Sequence, residues 1–182
     1  MFLRTLACTA LLAAAGLAQM SNLPAPAAAA PPASPDATVT TTLAGKTLTI
    51  KYAAPSMRGR KIMGGLVPFN TVWRTGANSA TTFLTAADLT IGTLDVPAGS
   101  YTLYTLPTAD PNKWLFIVNK ETGQWGTVYN ELKDLGRTPM QYKTLPASQE
   151  GMSISFENVS GKTAQLHVKW EKTDEYVTVT AK

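Results

Sequence analysis

Apolar and polar residues alternate along much of this chain, and this alternation limits the folds that it can adopt. In residues 46–52, one face carries Leu48, Ile50 and Tyr52, and the other carries Thr47, Thr49 and Lys51. Side chains of a β-strand point to opposite faces in turn, so this pattern predicts a strand with one buried face. Similar alternation recurs along the chain, and no window keeps the 3.6-residue period of an amphipathic helix. The pattern therefore predicts an all-β domain.

Turn residues divide the alternating pattern into short segments. Ala44-Gly45 predicts a hairpin turn, as do the Val96–Gly99 tetrapeptide and Asp110-Pro111-Asn112. The predicted strands are residues 38–43, 46–52, 81–85, 88–94, 100–106, 113–119, 123–128, 140–145, 152–156, 163–170 and 176–180. Only residues 129–135 suggest a helical turn. About ten short strands with at most one short helix predict an antiparallel, jelly-roll-like β-sandwich.

Residues 1–18 are typical of a signal peptide. Arg4 provides the positive charge, an apolar run too short to span a bilayer follows, and Gly16 and Ala18 provide small residues before a cleavage site. We expect export to the periplasm or the extracellular medium, and no transmembrane segment in the mature chain. Lipidation at Cys8 is less favoured, because almost no apolar run precedes it. The mature chain then has no cysteine, which excludes disulfides, thiol nucleophiles and thiolate metal sites.

An alanine- and proline-rich stretch follows the predicted cleavage site. Residues 19–37 have few bulky side chains and a single charge, so they cannot bury enough apolar surface to offset the entropy lost on ordering. We interpret them as a disordered tether. Residues 38–182 are long enough to form a single β-sandwich domain with its own core.

The positive charge of the domain is concentrated near its start. The chain has a formal net charge of +4. Six lysine or arginine residues and no acid occur between residues 37 and 87, whereas nine cations and eleven acids follow from residue 88. Nucleic-acid binding is disfavoured, because an exported protein with few clustered aromatic residues lacks a stacking platform. The excess of cations instead favours a small anionic or carbohydrate-like ligand.

Residues 59–78, GRKIMGGLVPFNTVWRTGAN, stand apart from the alternating pattern. Trp73 can bury a large apolar area, and Arg74 then points to the opposite side of an extended backbone, where it can grip a carboxylate or phosphate. The predicted ligand-binding residues are Arg58, Arg60, Arg74, Thr75 and Asn78, and the predicted structural anchors are Trp73, Gly64 and Gly65. The alternative is that Arg74 pairs with an internal acid, such as Asp134 or Glu131, and serves only the fold.

Other kinds of chemistry find little support in the residues. His167 is the only histidine, and alternation places it on the outer face of its strand, so we expect a surface residue and no metal site. No motif indicates a cofactor or a catalytic residue. A hydrolase of esters or glycans, using Asp134 with Tyr129 or Trp125 nearby, is the second hypothesis for function. A structural module that contacts other envelope proteins is the third.

Four segments together resemble one family of secreted bacterial proteins, domain of unknown function 2911. They are residues 59–78, PAGSYTLYTLP at 97–107, WLFIVNK at 114–120 and QWG at 124–126. The resemblance covers residues 38–182 and implies a secreted β-rich domain with an Arg-Thr-Gly-Ala-Asn segment at residues 74–78. Met63 and Phe69 stand where an aromatic residue and a tyrosine are expected. The family provides no activity, cofactor or catalytic residue that can be carried over.

Overall fold

A computed structural model describes residues 33–182 and shows ten β-strands in two antiparallel sheets. The strands are β1 (Asp36–Leu43), β2 (Lys46–Ala53), β3 (Ala77–Thr85), β4 (Leu89–Ile91), β5 (Leu94–Val96), β6 (Gly99–Leu106), β7 (Leu115–Asn119), β8 (Asp134–Pro139), β9 (Gln141–Ser160) and β10 (Thr163–Ala181). The first sheet has the order β1-β2-β3-β6-β7-β8, and the second has the order β5-β4-β10-β9. The predicted all-β sandwich is confirmed.

The first hairpin forms where the sequence predicts it. Leu43 pairs with Lys46, so the turn is the two residues Ala44 and Gly45, with φ angles of 48° and 74°. Positive φ at both central residues suits the right-handed twist of the flanking strands, and glycine adopts it without strain. β1 begins at Asp36, so the last two residues of the predicted tether are in the sheet.

The second sheet is dominated by two strands that are longer than predicted. Residues 140–145 and 152–156 largely fall within the 20-residue β9, and residues 163–170 and 176–180 are parts of the 19-residue β10. β10 bends sharply at Glu171, whose φ is 56°, and its pairing with β9 shifts register there. The amide of Ala181 then donates to the carbonyl of Lys162 at 2.8 Å, so the end of β10 lies beside its own beginning.

The hydrophobic core lies between the two sheets. Leu48, Ile50, Phe83, Leu103, Phe116 and Val118 come from the first sheet, and Leu89, Ile91, Leu166, Val168, Val177 and Val179 come from the second. All are nearly or completely buried, and burying one such side chain typically contributes about 1.5–3 kcal/mol. Alternation along each strand thus brings the apolar faces together, as the sequence predicts.

Three other predicted elements also differ from the structure. Residues 88–94 form two strands instead of one, because the chain turns at Gly92, which has a φ of 56°. Residues 123–128 form no strand, only an isolated bridge between Ser79 and Trp125. The predicted helical turn is limited to a 3-10 turn at Glu131–Lys133, after which Asp134 already begins β8.

Residues 1–32, which include the predicted signal peptide and most of the predicted tether, lie outside the described residues. Within residues 33–182, no helix has the length and hydropathy needed to cross a membrane.

Candidate ligand-binding site around Arg74

The loop of residues 54–76 joins β2 to β3, and Trp73 fixes its second half. The backbone of Trp73 exchanges hydrogen bonds of 2.8 and 2.9 Å with Thr105 of β6. Its indole stacks on Trp170 of β10, with ring centroids 6.0 Å apart and planes inclined by 20°. Trp73 therefore touches both sheets, and Arg74 follows directly on a backbone that has little freedom.

Two glycines shape the first half of the loop. A Cβ atom on Gly64 would lie 2.5 Å from the ring of Phe69, and the φ of Gly64 is 74°. A Cβ atom on Gly65 would lie 2.6 Å from the carbonyl oxygen of Lys61. Both distances are too short for a side chain, so the loop is compact here because these positions lack one.

Arg74 is the central residue of the site. Within residues 33–182, its buried Nε has no hydrogen-bond partner and its guanidinium takes part in no ion pair. The aliphatic part of the side chain packs on Gly126, where a Cβ atom would overlap Cδ of Arg74. The amide of Gly126 donates to the carbonyl of Asn78 at 3.0 Å, which fixes this contact. A guanidinium that lies in no ion pair is available to an acceptor from outside the fold.

Arg74 lines two neighbouring cavities. The polar cavity, about 240 Å³, is bordered by Arg60, Trp73, Arg74, Gly76, Asn78 and Trp170. The aromatic cavity, about 300 Å³, is bordered by Pro68, Val72, Arg74, Tyr104, Thr127 and Tyr129. Leu66 and Trp73 also line both. One arginine side chain thus faces two chemically different spaces.

The other predicted ligand-binding residues occupy different positions. Arg60 donates from Nε to the carbonyl of Met57 at 2.9 Å and from Nη2 to that of Ser56 at 2.7 Å, while lining the polar cavity. Asn78 lines the same cavity. Arg58 lies outside both cavities, where its amide donates to Glu150.

Thr75 lies behind the cavity wall. It is fully buried with a φ of 52°, and its hydroxyl lies 3.2 Å from that of Thr105. Its carbonyl accepts a hydrogen bond of 2.9 Å from the hydroxyl of Thr81. The structure therefore groups Arg60, Arg74 and Asn78 at one cavity, and places Thr75 in the supporting backbone.

The acids suggested as partners of Arg74 pair with Arg137 instead. Arg137 donates to Asp134 at 2.9 Å and to Glu131 at 2.6 Å. Asp134 also accepts from Tyr129 at 2.7 Å and from Asn119 at 2.8 Å. The alternative that Arg74 pairs with Asp134 or Glu131 is therefore wrong, because both acids pair with Arg137 and neither pairs with Arg74.

This network also constrains the hydrolase hypothesis. The Asp134 side chain is only 10% exposed, and both carboxylate oxygens accept hydrogen bonds, so it is poorly placed to attack a substrate. Burial, followed by the hydrogen bond to Asp134, raises the pKa of Tyr129 well above its usual range, so its hydroxyl stays protonated. Trp125 is exposed and lies on the bridge to Ser79.

His167 is not the surface residue that alternation predicts. It is buried, with Nδ1 2.6 Å from Oδ1 of Asp174, and its ring stacks on Tyr176 at 4.8 Å. Both contacts exist because β10 bends back on itself. In the described part of the chain, no group of three metal-ligating side chains converges.

Glu175 is a buried acid without a partner in the described part of the chain. It is fully buried, and neither carboxyl oxygen has a hydrogen-bond partner in the part of the chain that the structure describes. Burial and then the neighbouring charge of Asp174 raise its pKa to about 9. Glu175 is therefore a neutral acid near pH 7, and it lines neither cavity next to Arg74.

Sequence reasoning misses the residues that border Arg74 from distant strands. Tyr104 lies on β6, and its hydroxyl donates to the carbonyl of Val128 at 2.9 Å. Gln124 donates to the Tyr104 hydroxyl at 3.1 Å. In the sequence, the QWG segment stands out only as part of a family resemblance, although its glycine provides the space for Arg74.

Comparison with known proteins gives a family and no described relative. No curated protein and no solved structure gives a significant match. A family model described as "Protein of unknown function (DUF2911)" matches residues 34–179, which span β1 and extend into β10. The match covers both sheets and every residue around Arg74, so the chain belongs to the DUF2911 family.

Proposed function

We propose that this protein is an exported β-sandwich that binds an anionic or hydroxyl-rich ligand at the Arg74 site. The observation that carries the proposal is the Arg74 guanidinium, which lines two cavities and whose buried Nε has no partner within residues 33–182. A positive charge that the fold leaves unpaired gains a charge-assisted hydrogen bond when an anionic acceptor binds.

The chemistry of the ligand follows from the donor set. An arginine fork matches the geometry of a carboxylate or phosphate and donates two parallel hydrogen bonds to it. Arg60 adds positive charge to the polar cavity, and Asn78 adds a neutral side chain. No acid among residues 33–182 lines this cavity, so nothing in its described wall repels an anion.

Export is part of the proposal and rests on the sequence of residues 1–18. A positive residue, a short apolar run and small residues at the predicted cleavage site support it. Expression of the full chain in a bacterial host, followed by fractionation and N-terminal sequencing, tests this part. We expect a periplasmic or secreted product that begins after Ala18, and an uncleaved cytoplasmic product would contradict it.

A binding experiment on Arg74 tests the site. Glucuronate and inorganic phosphate are titrated into the protein and followed by NMR chemical shifts, for the unchanged chain and for Arg74→Met. The methionine keeps an apolar stem against Gly126 but has no fork, so we expect about a tenfold or larger loss of affinity.

Arg58→Met is the matched control, because Arg58 is an exposed arginine outside both cavities. It should leave binding nearly unchanged. Equal losses of anion affinity in the two variants would mean that binding depends only on the net charge of the protein. That outcome would contradict a site at Arg74. Absence of binding by either anion would also count against the proposal.

A further inference from the structure

The two cavities beside Arg74 differ in what they offer a ligand. The polar cavity presents Arg60 and Asn78, whereas the aromatic cavity presents Pro68, Val72 and two tyrosines. The tyrosine hydroxyls are engaged elsewhere, since Tyr104 donates to Val128 and Tyr129 donates to Asp134. The tyrosines therefore contribute mainly ring carbon to the wall of the aromatic cavity.

Three exposed apolar residues lie in the cavity wall or next to it in the sequence. Leu66 lines both cavities, and Trp125 and Val128 flank the cavity residues Gly126 and Thr127 in the sequence. These three side chains are 46%, 56% and 52% exposed, respectively. Exposed large apolar side chains next to cavity residues favour a ligand that has an apolar part.

Resting on the function proposed above, we propose that the ligand is an amphipathic carboxylate. Its carboxylate binds Arg74, and its compact apolar or aromatic body fills the aromatic cavity. A fully hydroxylated ligand would lose hydrogen bonds to water against Val72, Pro68 and the tyrosine rings, and that loss is unfavourable. Arg74 is positively charged, so the head group of the ligand is expected to be negatively charged. The residues of the aromatic cavity are mostly apolar, so the rest of the ligand is expected to be apolar.

The volume of the aromatic cavity limits the size of that body. About 300 Å³ is at the lower end of the range for ligand pockets. At the ~30 Å³ that a water molecule occupies in the liquid, the space holds on the order of ten non-hydrogen atoms. A phenyl ring or a chain of six carbons fits this size, whereas a long-chain fatty acid exceeds it.

A graded set of probes tests this inference on the full mature chain. Acetate, butyrate, hexanoate and phenylacetate carry the same head group and differ in apolar body, and affinity is measured by calorimetry or NMR titration. Each methylene buried in the cavity should increase affinity about fourfold, so hexanoate should bind roughly tenfold or more tightly than butyrate. Phenylacetamide, which has the ring but no charge, should bind at least about tenfold more weakly than phenylacetate.

Leu66→Ser and Leu84→Ser form a matched pair of variants. Both leucines are exposed, but Leu66 lines the cavities and Leu84 lies on β3 and lines neither. Leu66→Ser should weaken phenylacetate and hexanoate about fivefold and should weaken glucuronate, which has no apolar body, by clearly less than that, and Leu84→Ser should alter none of them.

The outcomes separate this inference from the proposed function. If glucuronate or phosphate binds in an Arg74-dependent manner and affinity does not rise with apolar size, the function stands and the amphipathic ligand is wrong. If phenylacetamide binds as well as phenylacetate, Arg74 does not select a carboxylate and the inference fails. If no anion binds, or if Arg74→Met binds all of them unchanged, the function and the inference fail together.

Discussion

Arg74 and Arg137 are the same residue type in opposite situations. Arg137 donates to Asp134, Glu131 and Tyr129, so its charge is neutralised within the fold. Arg74 has no such partner among residues 33–182, and its Nε is buried. The two are linked by Tyr129, which bonds to the Arg137 network and also lines the aromatic cavity beside Arg74.

A structural arginine differs from an arginine that is available to a ligand in whether the fold supplies its partner. A buried or half-buried arginine is normally paired, so the paired case is the expected one. Arg137 meets this expectation, and its network forms part of the wall behind the cavity. Arg74 departs from it at a place where two cavities meet. Removing groups from each region in turn tests whether the distinction holds.

The largest expected effect comes from Glu175, an unpaired acid within the described residues that lines neither cavity. Its pKa is about 9 in the folded state and has an ordinary value of 4.5. Below pH 4.5 both states are protonated, and as pH rises towards 9 the unfolded state alone ionises, so stability falls across this window. At about 1.36 kcal/mol per pH unit, the loss between about pH 5 and pH 8 is on the order of 4 kcal/mol.

Urea denaturation of the unchanged chain and of Glu175→Gln at about pH 5 and pH 8 measures this loss. The amide introduced by the substitution does not ionise, so most of the decline should disappear in the variant. An equal decline in both proteins would show that Glu175 is not its source. In that case a buried group without a partner would not cost stability here, which would weaken the contrast between Arg74 and Arg137.

The second effect is the loss of the paired network. Asp134→Ala removes the acceptor shared by Arg137, Tyr129 and Asn119, and leaves Glu131 as the one acid that still pairs with Arg137 among residues 33–182. We expect the free energy of unfolding to fall by about 3 kcal/mol, measured by urea denaturation at pH 7. A loss below about 1 kcal/mol would mean that the network contributes little to the fold.

The third effect is smaller and acts on the geometry of the Arg74 side chain. Gly126→Ala places a methyl group against Cδ of Arg74 and 2.6 Å from the carbonyl oxygen of Asn78, so the arginine must move. Overpacking of this kind costs about 1–3 kcal/mol, and we expect anion affinity to fall about tenfold. Gly123→Ala is a useful control in the same loop, because its Cβ would meet nothing within 4 Å, although its φ of 82° adds backbone strain. Affinity that is unaltered in Gly126→Ala would show that binding does not depend on this position of Arg74.

The smallest expected effect on stability is that of Arg74→Met. Removing a guanidinium that has no partner within residues 33–182 should change the free energy of unfolding by less than about 1 kcal/mol, in either direction. The matched change Arg137→Met should cost about 2 kcal/mol or more, since it leaves Asp134 without its cation. Thermal or urea denaturation of both variants measures the difference. Comparable losses in the free energy of unfolding for the two variants would indicate that Arg74 stabilises the fold as Arg137 does.

Much of the fold is predictable because it depends on local patterns. The first hairpin follows from Ala44-Gly45 and the alternation on each side of it. β8 is missed because residues 129–135 have a spacing that suits a helical turn, yet Leu132 is 92% exposed and its apolar side chain packs on nothing extensive. The position of His167 is wrongly predicted because alternation does not reveal that β10 bends back and covers it with Tyr176.

The candidate site is predictable only in part, for the same reason. Arg74 and Asn78 are neighbours in one unusual segment, and local sequence is sufficient to select them. Tyr104 and Gly126 reach Arg74 from other parts of the chain, through pairings that the sequence alone does not specify. Asp134 and Arg137 both lie on β8, and the sequence pattern does not predict this strand. Local patterns therefore cannot decide whether Arg74 or Arg137 pairs with Asp134.

The stacking of Trp73 on Trp170 has a consequence for the order of folding. Trp170 lies in the long β9–β10 hairpin, whose contacts are local and close with little loss of chain entropy, so we expect this hairpin to form early. Trp73 lies in a loop that is enclosed only when Ala53 of β2 pairs with Ala77 of β3. We expect the two indoles to meet after both events. Arg74, one residue further on, is then expected to acquire its position late in folding.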